Sequence, residues 1–131
     1  MDRGAAVLLA DAAERAGVLR YLLVSSMGVE SVADGRRPPD MDDVFVAYLQ
    51  AKLAAERDLL ARPGLSTTVV RPGGLTDDPG TGRVTLAEHV ERGSIPRDDV
   101  AAVLLALLDA GTGGGVLELV SGPIPIGDAV R

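Results

Sequence analysis

The sequence predicts an α/β fold built on a mostly parallel sheet, with about three main strands and three helices. Helix-like and strand-like segments alternate along the 131 residues and are joined by short turns, the pattern of parallel sheets with crossover helices. Residues 18–24 form an apolar run that barely alternates, as expected of a strand buried on both faces. Hydrophobic residues make up 47% of the chain and aromatic residues only 2%, so we expect an aliphatic core.

The first half of the chain is expected to hold two helices around the 18–24 strand. An Ala- and Leu-rich helix covers residues 5–16 and ends at Gly17, a residue type that favours helix termination. Turn-forming residues predict a loop over 28–41. A long helix is expected over 42–61 because apolar residues recur there at helical spacing.

The long helix is expected to have two distinct faces. One face carries the recurring apolar residues and should be buried, while polar residues form a separate stripe. We assign Phe45, Leu49, Leu53 and Leu60 to the buried face, and Tyr48, Lys52 and Glu56 to the polar stripe.

The second half is expected to contribute two main strands and one helix. The strands cover 66–71 and 116–120, and a short edge strand is expected at 84–86. The glycine-rich segment 72–83 between them should be an irregular loop. The third helix follows Ile95-Pro96, with Asp98 as its N-cap.

Composition and charge exclude several classes of function. The net charge is −6 and no run of Lys or Arg is present, so a nucleic-acid partner is not expected. The chain has no Cys and a single His, so neither a disulfide nor a metal site is expected. No apolar stretch is long enough to span a membrane and no signal peptide is evident. We therefore expect a soluble cytoplasmic protein.

Tyr48 and Lys52 are the strongest indication of chemistry. Their i, i+4 spacing places the phenol and the ammonium on one face of the long helix. A cationic lysine beside a tyrosine favours the phenolate, which suits the tyrosine to exchange a proton with a carbonyl or an alcohol. The alternative is a solvated helix face on which the lysine extends towards water.

Ser25 and Ser26 follow the 18–24 strand directly. Open parallel α/β sheets bind their ligands at the carboxyl ends of the strands, so both hydroxyls are candidates for a binding site. The alternative is that they cap the loop amides at the strand end.

Five motifs resemble those of the atypical short-chain dehydrogenase/reductases, the NAD(P)H-binding, NmrA-like and flavin-reductase-like group. Each motif is weak alone, but the five follow the family's order and cover nearly the whole chain. They are 16–18 leading to 24–28, Tyr48-x-x-Ala51-Lys52 followed by Glu56, 68–76, 79–84 and 95–101.

The resemblance implies a doubly wound parallel sheet of the Rossmann type and hydride transfer between NADP or NAD and a small carbonyl, quinone or flavin. It implies that Tyr48 is the acid/base and that Lys52 assists it and binds the ribose. Ser26 would hydrogen-bond the substrate oxygen, although the family's position for this hydroxyl could instead match Met27, which cannot donate. The cofactor-binding residues it implies are Ser25, Tyr48, Lys52, Pro72, Gly73, Gly74 and Leu75, with no metal ligand.

Only the C-terminal half of that family's fold is matched. The family's first half carries a Gly-rich loop between a strand and a helix, which holds the cofactor pyrophosphate. Here no strand precedes a Gly-x-x-Gly pattern, and the glycines of 111–115 follow a helix instead. We therefore expect residues 1–131 to form a single partial NAD(P)-binding domain, a truncated form with weak or no activity.

Two alternatives to an oxidoreductase stay open. One is a non-catalytic NAD(P)-responsive regulator of the NmrA-like kind that acts through a protein partner, and the other is a non-functional truncation. In each case the 18–24 strand would lack a neighbour that the family's first half supplies. An open strand edge invites pairing, so a homo-oligomer through this strand or through the 5–16 helix is expected.

Overall fold

The computed structural model describes residues 3–111 and 114–131 as four helices, seven strands and one 3₁₀ segment. The 3₁₀ segment covers Val29–Gly35. The helices are α1 Arg3–Ala16, α2 Asp43–Leu60, α3 Arg97–Ala110 and α4 Ile126–Ala129. The strands are β1 Arg20–Val24, β2 Ser66–Pro72, β3 Gly74–Thr76, β4 Arg83–Ala87, β5 Ser94–Pro96, β6 Gly115–Ser121 and β7 Ile124–Pro125.

The main sheet has five strands in the order β1-β2-β6-β4-β7. The three strands expected from the sequence, β1, β2 and β6, run parallel to one another. The short strands β4 and β7 extend the sheet in antiparallel pairings, and β3 pairs with β5 in a small separate sheet. The predicted mostly parallel α/β sheet is therefore confirmed.

Helices cover both faces of the sheet, as expected of a doubly wound fold. Adjacent residues of a strand point to opposite faces, and Val69 and Val70, both fully buried in β2, show this division. Val69 lies in a cluster with residues of α1 and α2 such as Leu59. Val70 lies in a second cluster with Val103 and Leu107 of α3. The core is aliphatic on both faces, as the composition predicts.

The segment 28–41 differs from the predicted loop. Residues 29–35 form 3₁₀ turns that are interrupted by non-helical backbone at Ala33 and Asp34. Val29 and Val32 are buried there against Leu49 of α2. Three-residue spacing of the two valines is the period of a 3₁₀ helix, a signal that the turn residues around it obscured.

Three short strands and one short helix lie where the sequence predicted none. The predicted irregular loop 72–83 contains β3, and β5 and β7 occur before α3 and before α4. These elements span only two to four residues. Tertiary pairing rather than local periodicity stabilises such short elements.

The beginning of α3 corrects the prediction that Asp98 is its cap. Pro96 occupies the N-cap position and no side chain caps the helix. Asp99 is the buried carboxylate instead, and it accepts hydrogen bonds from the amides of Thr81 and Gly82 at 2.9–3.0 Å and from the Thr81 hydroxyl at 3.2 Å. Asp99 therefore fixes the 81–82 turn against α3.

Strand β1 lies at the edge of the main sheet. Its Arg20 side chain extends to the end of α3, where it donates to the carbonyl oxygens of Leu107 and Leu108 at 3.0 and 3.1 Å. Leu9 of α1 and Val18, just before the strand, are about half exposed. They line an apolar groove of about 650 Å³ between α1 and the edge of β1. Within the described residues, none of the helices combines the length and apolar composition needed to cross a bilayer.

Candidate active site

A cavity of about 580 Å³ lies beyond the carboxyl ends of β1 and β2. This is the edge at which parallel α/β sheets bind their ligands. Five of the residues predicted for the site, from three separate segments, line it together. The lining residues are Ser26, Asp42, Val44, Phe45, Tyr48, Gly73, Gly74, Leu75 and Arg97.

Helix α2 carries Tyr48 to the cavity. The helix begins after Asp42, whose carboxylate accepts a hydrogen bond from the Val44 amide at 2.7 Å and so caps the first turn. The Tyr48 side chain is 45% exposed, which leaves its hydroxyl accessible to a ligand and to water. Its ring stacks on that of Phe45 with centroids 5.9 Å apart and an interplanar angle of 18°.

Phe45 corrects the prediction for this helix. It was assigned to the buried face, but it is 47% exposed and lines the cavity beside Tyr48. Leu60 is likewise exposed, at 42%. Leu49 and Leu53 are buried as predicted, and Lys52 and Glu56 of the polar stripe are buried as well. The buried face of α2 is therefore wider than predicted in the middle of the helix and leaves out Phe45 and Leu60.

Lys52 is buried, contrary to a solvated polar stripe. Its ammonium donates a hydrogen bond to the Val24 carbonyl oxygen at 3.1 Å, which holds it at the end of β1. The nitrogen also lies 5.7 Å from the centroid of the Tyr48 ring, a cation–π geometry. Lys52 does not line the 580 Å³ cavity; it contributes instead to the groove along β1. The ammonium therefore stands behind the Tyr48 ring, at the end of the strand.

The two serines after β1 have different surroundings. Ser26 lines the cavity, and its hydroxyl donates to the Met27 carbonyl oxygen at 3.1 Å. Ser25 is buried, and among the described residues its hydroxyl has no hydrogen-bond partner. A buried hydroxyl without a partner is costly, and Ser25 lines neither the 580 Å³ cavity nor the groove along β1. The Met27 amide donates to the Pro72 carbonyl oxygen at 3.0 Å and ties this turn to β2.

The segment after β2 contributes backbone surface to the cavity. Pro72 is buried at the end of the strand, whereas Gly73, Gly74 and Leu75 line the cavity. A Cβ atom on Gly73 would lie only 2.3 Å from the Gly93 carbonyl oxygen, so a side chain cannot be accommodated there. Glycine at position 73 therefore lets the loop around Gly93 pack directly against the backbone. The sequence alone gave no sign of this contact. Gly74 has ordinary contact distances only.

A buried ion pair joins α2 to β2 one turn after Lys52. Glu56 is 1% exposed and accepts hydrogen bonds from Arg71 Nε at 3.1 Å and Nη2 at 2.6 Å. Glu30, on the surface, lies 3.2 Å from the same guanidinium. Burial alone would lower the pKa of Arg71, but the hydrogen bonds and charges of Glu56 and Glu30 outweigh it and raise that pKa. Two residues of the predicted polar stripe, Lys52 and Glu56, therefore face the sheet, and each is hydrogen-bonded to a partner on it.

Two arginines near the cavity were not predicted as site residues. Arg97 lines the cavity and pairs with Asp77 at 2.7 Å, with both side chains more than half exposed. Arg92 lines an adjoining cavity of about 300 Å³ together with Ser26, Gly73 and Gly74. Because each arginine lies far along the chain from Tyr48, helical or strand periodicity gives no signal for them.

A sequence model of a family described as NAD(P)H-binding matches residues 1–111. The chain belongs to this NAD(P)H-binding family. The resemblance to the atypical short-chain dehydrogenase/reductases is thereby confirmed.

Relatives of known sequence and structure extend this result. The chain is 35% identical over 132 residues to the uncharacterized sugar epimerase YhfK of Bacillus subtilis (strain 168), and the match covers 100% of this chain and 58% of YhfK. A structure from Bacillus halodurans, provisionally assigned as an NAD-dependent epimerase/dehydratase, superposes with a TM-score of 0.81 at 34% identity over 95% of this chain and 56% of its own. ChuY, described as an anaerobilin reductase of Escherichia coli O157:H7, gives a TM-score of 0.72 at 30% identity over 88% of this chain and 56% of ChuY. This member of the NAD(P)H-binding family thus spans a little more than half the length of these relatives.

Proposed function

We propose that this protein acts in NAD(P)H-dependent reduction of a small carbonyl, quinone or flavin substrate, with the 580 Å³ cavity as the substrate and nicotinamide side of the active site. The proposal rests on one observation above all. Tyr48 faces this cavity while the buried ammonium of Lys52 is held behind its ring by the Val24 carbonyl oxygen. The Tyr48–Lys52 arrangement favours an oxidoreductase over a regulator, because a pure sensor needs no proton donor.

Tyr48 supplies the proton in this proposal. NAD(P)H, when bound, would be the source of the hydride for the carbonyl carbon. The Tyr48 hydroxyl then gives its proton to the carbonyl oxygen, so that the product is an alcohol and the tyrosine is a phenolate. The positive charge of Lys52 stabilises that phenolate. Because Tyr48 is 45% exposed, water can return the proton.

Ser26 and the glycine segment position the substrate. The Ser26 hydroxyl lies on the cavity wall and can turn from the Met27 carbonyl oxygen to donate to the oxygen of a substrate. Gly73 and Gly74 expose backbone rather than side chains, which leaves room for a flat ring against the wall.

The chain's residues fit the nicotinamide and ribose end of the cofactor. We place the ribose at the end of β1, where the Lys52 ammonium can bind a ribose hydroxyl from the side of the groove along β1. The unpartnered Ser25 hydroxyl is buried there, so a ligand has to displace its cover to reach it. For the pyrophosphate, the described residues offer no glycine-rich turn between a strand and a helix. The glycines of 111–115 cannot replace that turn, because they follow helix α3 and lead into strand β6, the reverse of the order required. Two residues of that segment lie outside the described residues. We therefore expect weak binding of NADPH or NADH by this chain, well above micromolar Kd by calorimetry.

The test uses a chimera in which the N-terminal part of YhfK precedes residue 1. Tyr48→Phe should lower turnover by about 100-fold or more, the scale of general acid catalysis, and change cofactor affinity by less than about threefold. Lys52→Ala should damage both, because its ammonium serves the phenolate and the ribose.

The matched control is Tyr21→Phe, which removes the chain's other phenol hydroxyl. Burial, partly offset by Arg62, raises the pKa of Tyr21, so this phenol stays neutral and should leave turnover unchanged. Equal turnover of Tyr48→Phe and wild type would contradict the proton-donor role.

A further inference from the structure

The cavity and its neighbour have one guanidinium without a partner. Among residues 3–111 and 114–131, no carboxylate pairs with Arg92, whereas Arg97 is neutralised by Asp77. Asp42, the carboxylate on the cavity wall, caps α2 and stands at the positive end of that helix. Among the described residues, two charged groups at the site therefore have no ion-pair partner, the Asp42 carboxylate that caps α2 and the Arg92 guanidinium.

The loop that carries Arg92 is anchored on both sides of it. The Val90 amide donates to Glu118 Oε1 at 2.9 Å. The Gly93 carbonyl oxygen accepts from the Gly74 amide at 3.0 Å, and its approach is so close that a Cβ on Gly73 would clash with it. Residues two before and one after Arg92 are thus fixed to the sheet and to the cavity wall.

The Arg92 guanidinium lies close to Gly28, in the turn that follows β1. Its Nη2 lies 3.5 Å from the position that a Cβ on Gly28 would take. The 300 Å³ cavity that it lines shares Ser26, Phe45, Gly73 and Gly74 with the Tyr48 cavity. A ligand whose carbonyl lies at Tyr48 and Ser26 can therefore extend an anionic group to Arg92.

We propose that Arg92 binds an oxyanion of the substrate, so that the substrate class is a carbonyl compound with a carboxylate or phosphate at its far end. This inference rests on the proposed function of the Tyr48 cavity. Arginine suits the role because its planar fork donates two parallel hydrogen bonds to an oxyanion. Because Arg92 is exposed, screening by water limits the gain to about twofold to fivefold in affinity.

The experiment measures binding to the 131-residue chain by two-dimensional amide NMR. The probes are 4-acetylbenzoate, 4-acetylphenyl phosphate and the neutral methyl 4-acetylbenzoate, which share the same ketone. We expect amide shifts at residues 26, 73–75 and 92–93 and about twofold to fivefold tighter binding of an anionic probe than of the ester. Comparison of the two anionic probes tells whether carboxylate or phosphate is preferred.

Variants assign the preference to Arg92. Arg92→Gln should abolish it and Arg92→Lys should retain part of it, while ester binding is unchanged in both. Arg57→Gln is the control, because it removes the same charge from an exposed arginine of α2 outside both cavities. Equal binding of acid and ester at the cavity would overturn the Arg92 inference and leave the proposed function standing. Binding of no probe at the cavity would overturn both.

Discussion

Removal of the Glu56 carboxylate should destabilise the protein more than any surface charge change. Glu56 is 1% exposed, and its two hydrogen bonds satisfy an Arg71 guanidinium that is itself buried. Loss of one partner from a buried ion pair costs about 3–5 kcal/mol because the other charge is left uncompensated. Glu30 remains 3.2 Å from Arg71, but its side chain is 70% exposed and its contribution is screened. We therefore expect Glu56→Ala to lower the free energy of unfolding by about 2–4 kcal/mol.

Urea unfolding followed by far-ultraviolet circular dichroism measures this change. Asp77→Ala is the control, because it breaks an ion pair of similar length whose two side chains are exposed, and it should cost less than about 1 kcal/mol. The double variant Glu56→Leu/Arg71→Met should recover most of the lost stability, since apolar side chains of similar volume replace a buried pair well. A loss for Glu56→Ala no larger than that of the control would refute this account of how α2 is held on the sheet.

Three further predictions follow from contacts outside that ion pair. Burial would raise the pKa of Asp99, but hydrogen bonds from the 81–82 turn lower it below its ordinary 3.8. Asp99→Ala should therefore lower the free energy of unfolding by about 1–3 kcal/mol at pH 7 in urea unfolding. The difference from wild type should shrink as the pH falls below 3.8, because the carboxylate is then protonated. Gly73→Ala should lower the melting temperature, because its methyl group would clash with the Gly93 carbonyl oxygen, and the loss of stability should be about 1–3 kcal/mol. Gly74→Ala should be tolerated. Equal effects of the two substitutions would contradict the close contact between Gly73 and Gly93. The chain should associate through the open edge of β1, so Leu19→Lys should shift the sedimentation of the protein towards that of a monomer. Leu105→Lys is the control, because Leu105 on α3 is similarly exposed but lies away from this edge. A wild-type chain that is monomeric at high micromolar concentration would refute the prediction.

The parts of the fold with strong periodicity could be predicted from the sequence. The apolar run before Ser25, broken only by Arg20, predicts β1, and the i, i+4 spacing of Tyr48 and Lys52 places both on one helix. The spacing of residues could not show that the buried face of that helix also includes Lys52 and Glu56. Lys52 and Glu56 have the composition of a solvent-facing stripe, and only their partners, a Val24 carbonyl oxygen and Arg71, make burial favourable.

The site was predictable where neighbouring residues supply it and not where the fold supplies it. Tyr48, Ser26, Gly73, Gly74 and Leu75 line one cavity, and their role as a site stays a prediction. Phe45 lines the same cavity and Arg92 an adjoining one. Both positions depend on long-range packing, which leaves no local sequence pattern. Pro72 stays buried in its strand and offers the cavity no side-chain surface.

Binding of reduced nicotinamide mononucleotide tests whether the Tyr48 cavity holds the nicotinamide of the cofactor. This ligand carries the nicotinamide and one ribose but no pyrophosphate, so its binding is independent of a glycine-rich loop. Titration of the isotope-labelled chain should shift the amides of residues 25–26, 48, 52 and 73–75, with a millimolar Kd that Lys52→Met weakens. Shifts confined to residues 9–24 of the groove along β1, or none at the cavity at saturating ligand, would contradict the assignment of the Tyr48 cavity as the nicotinamide site.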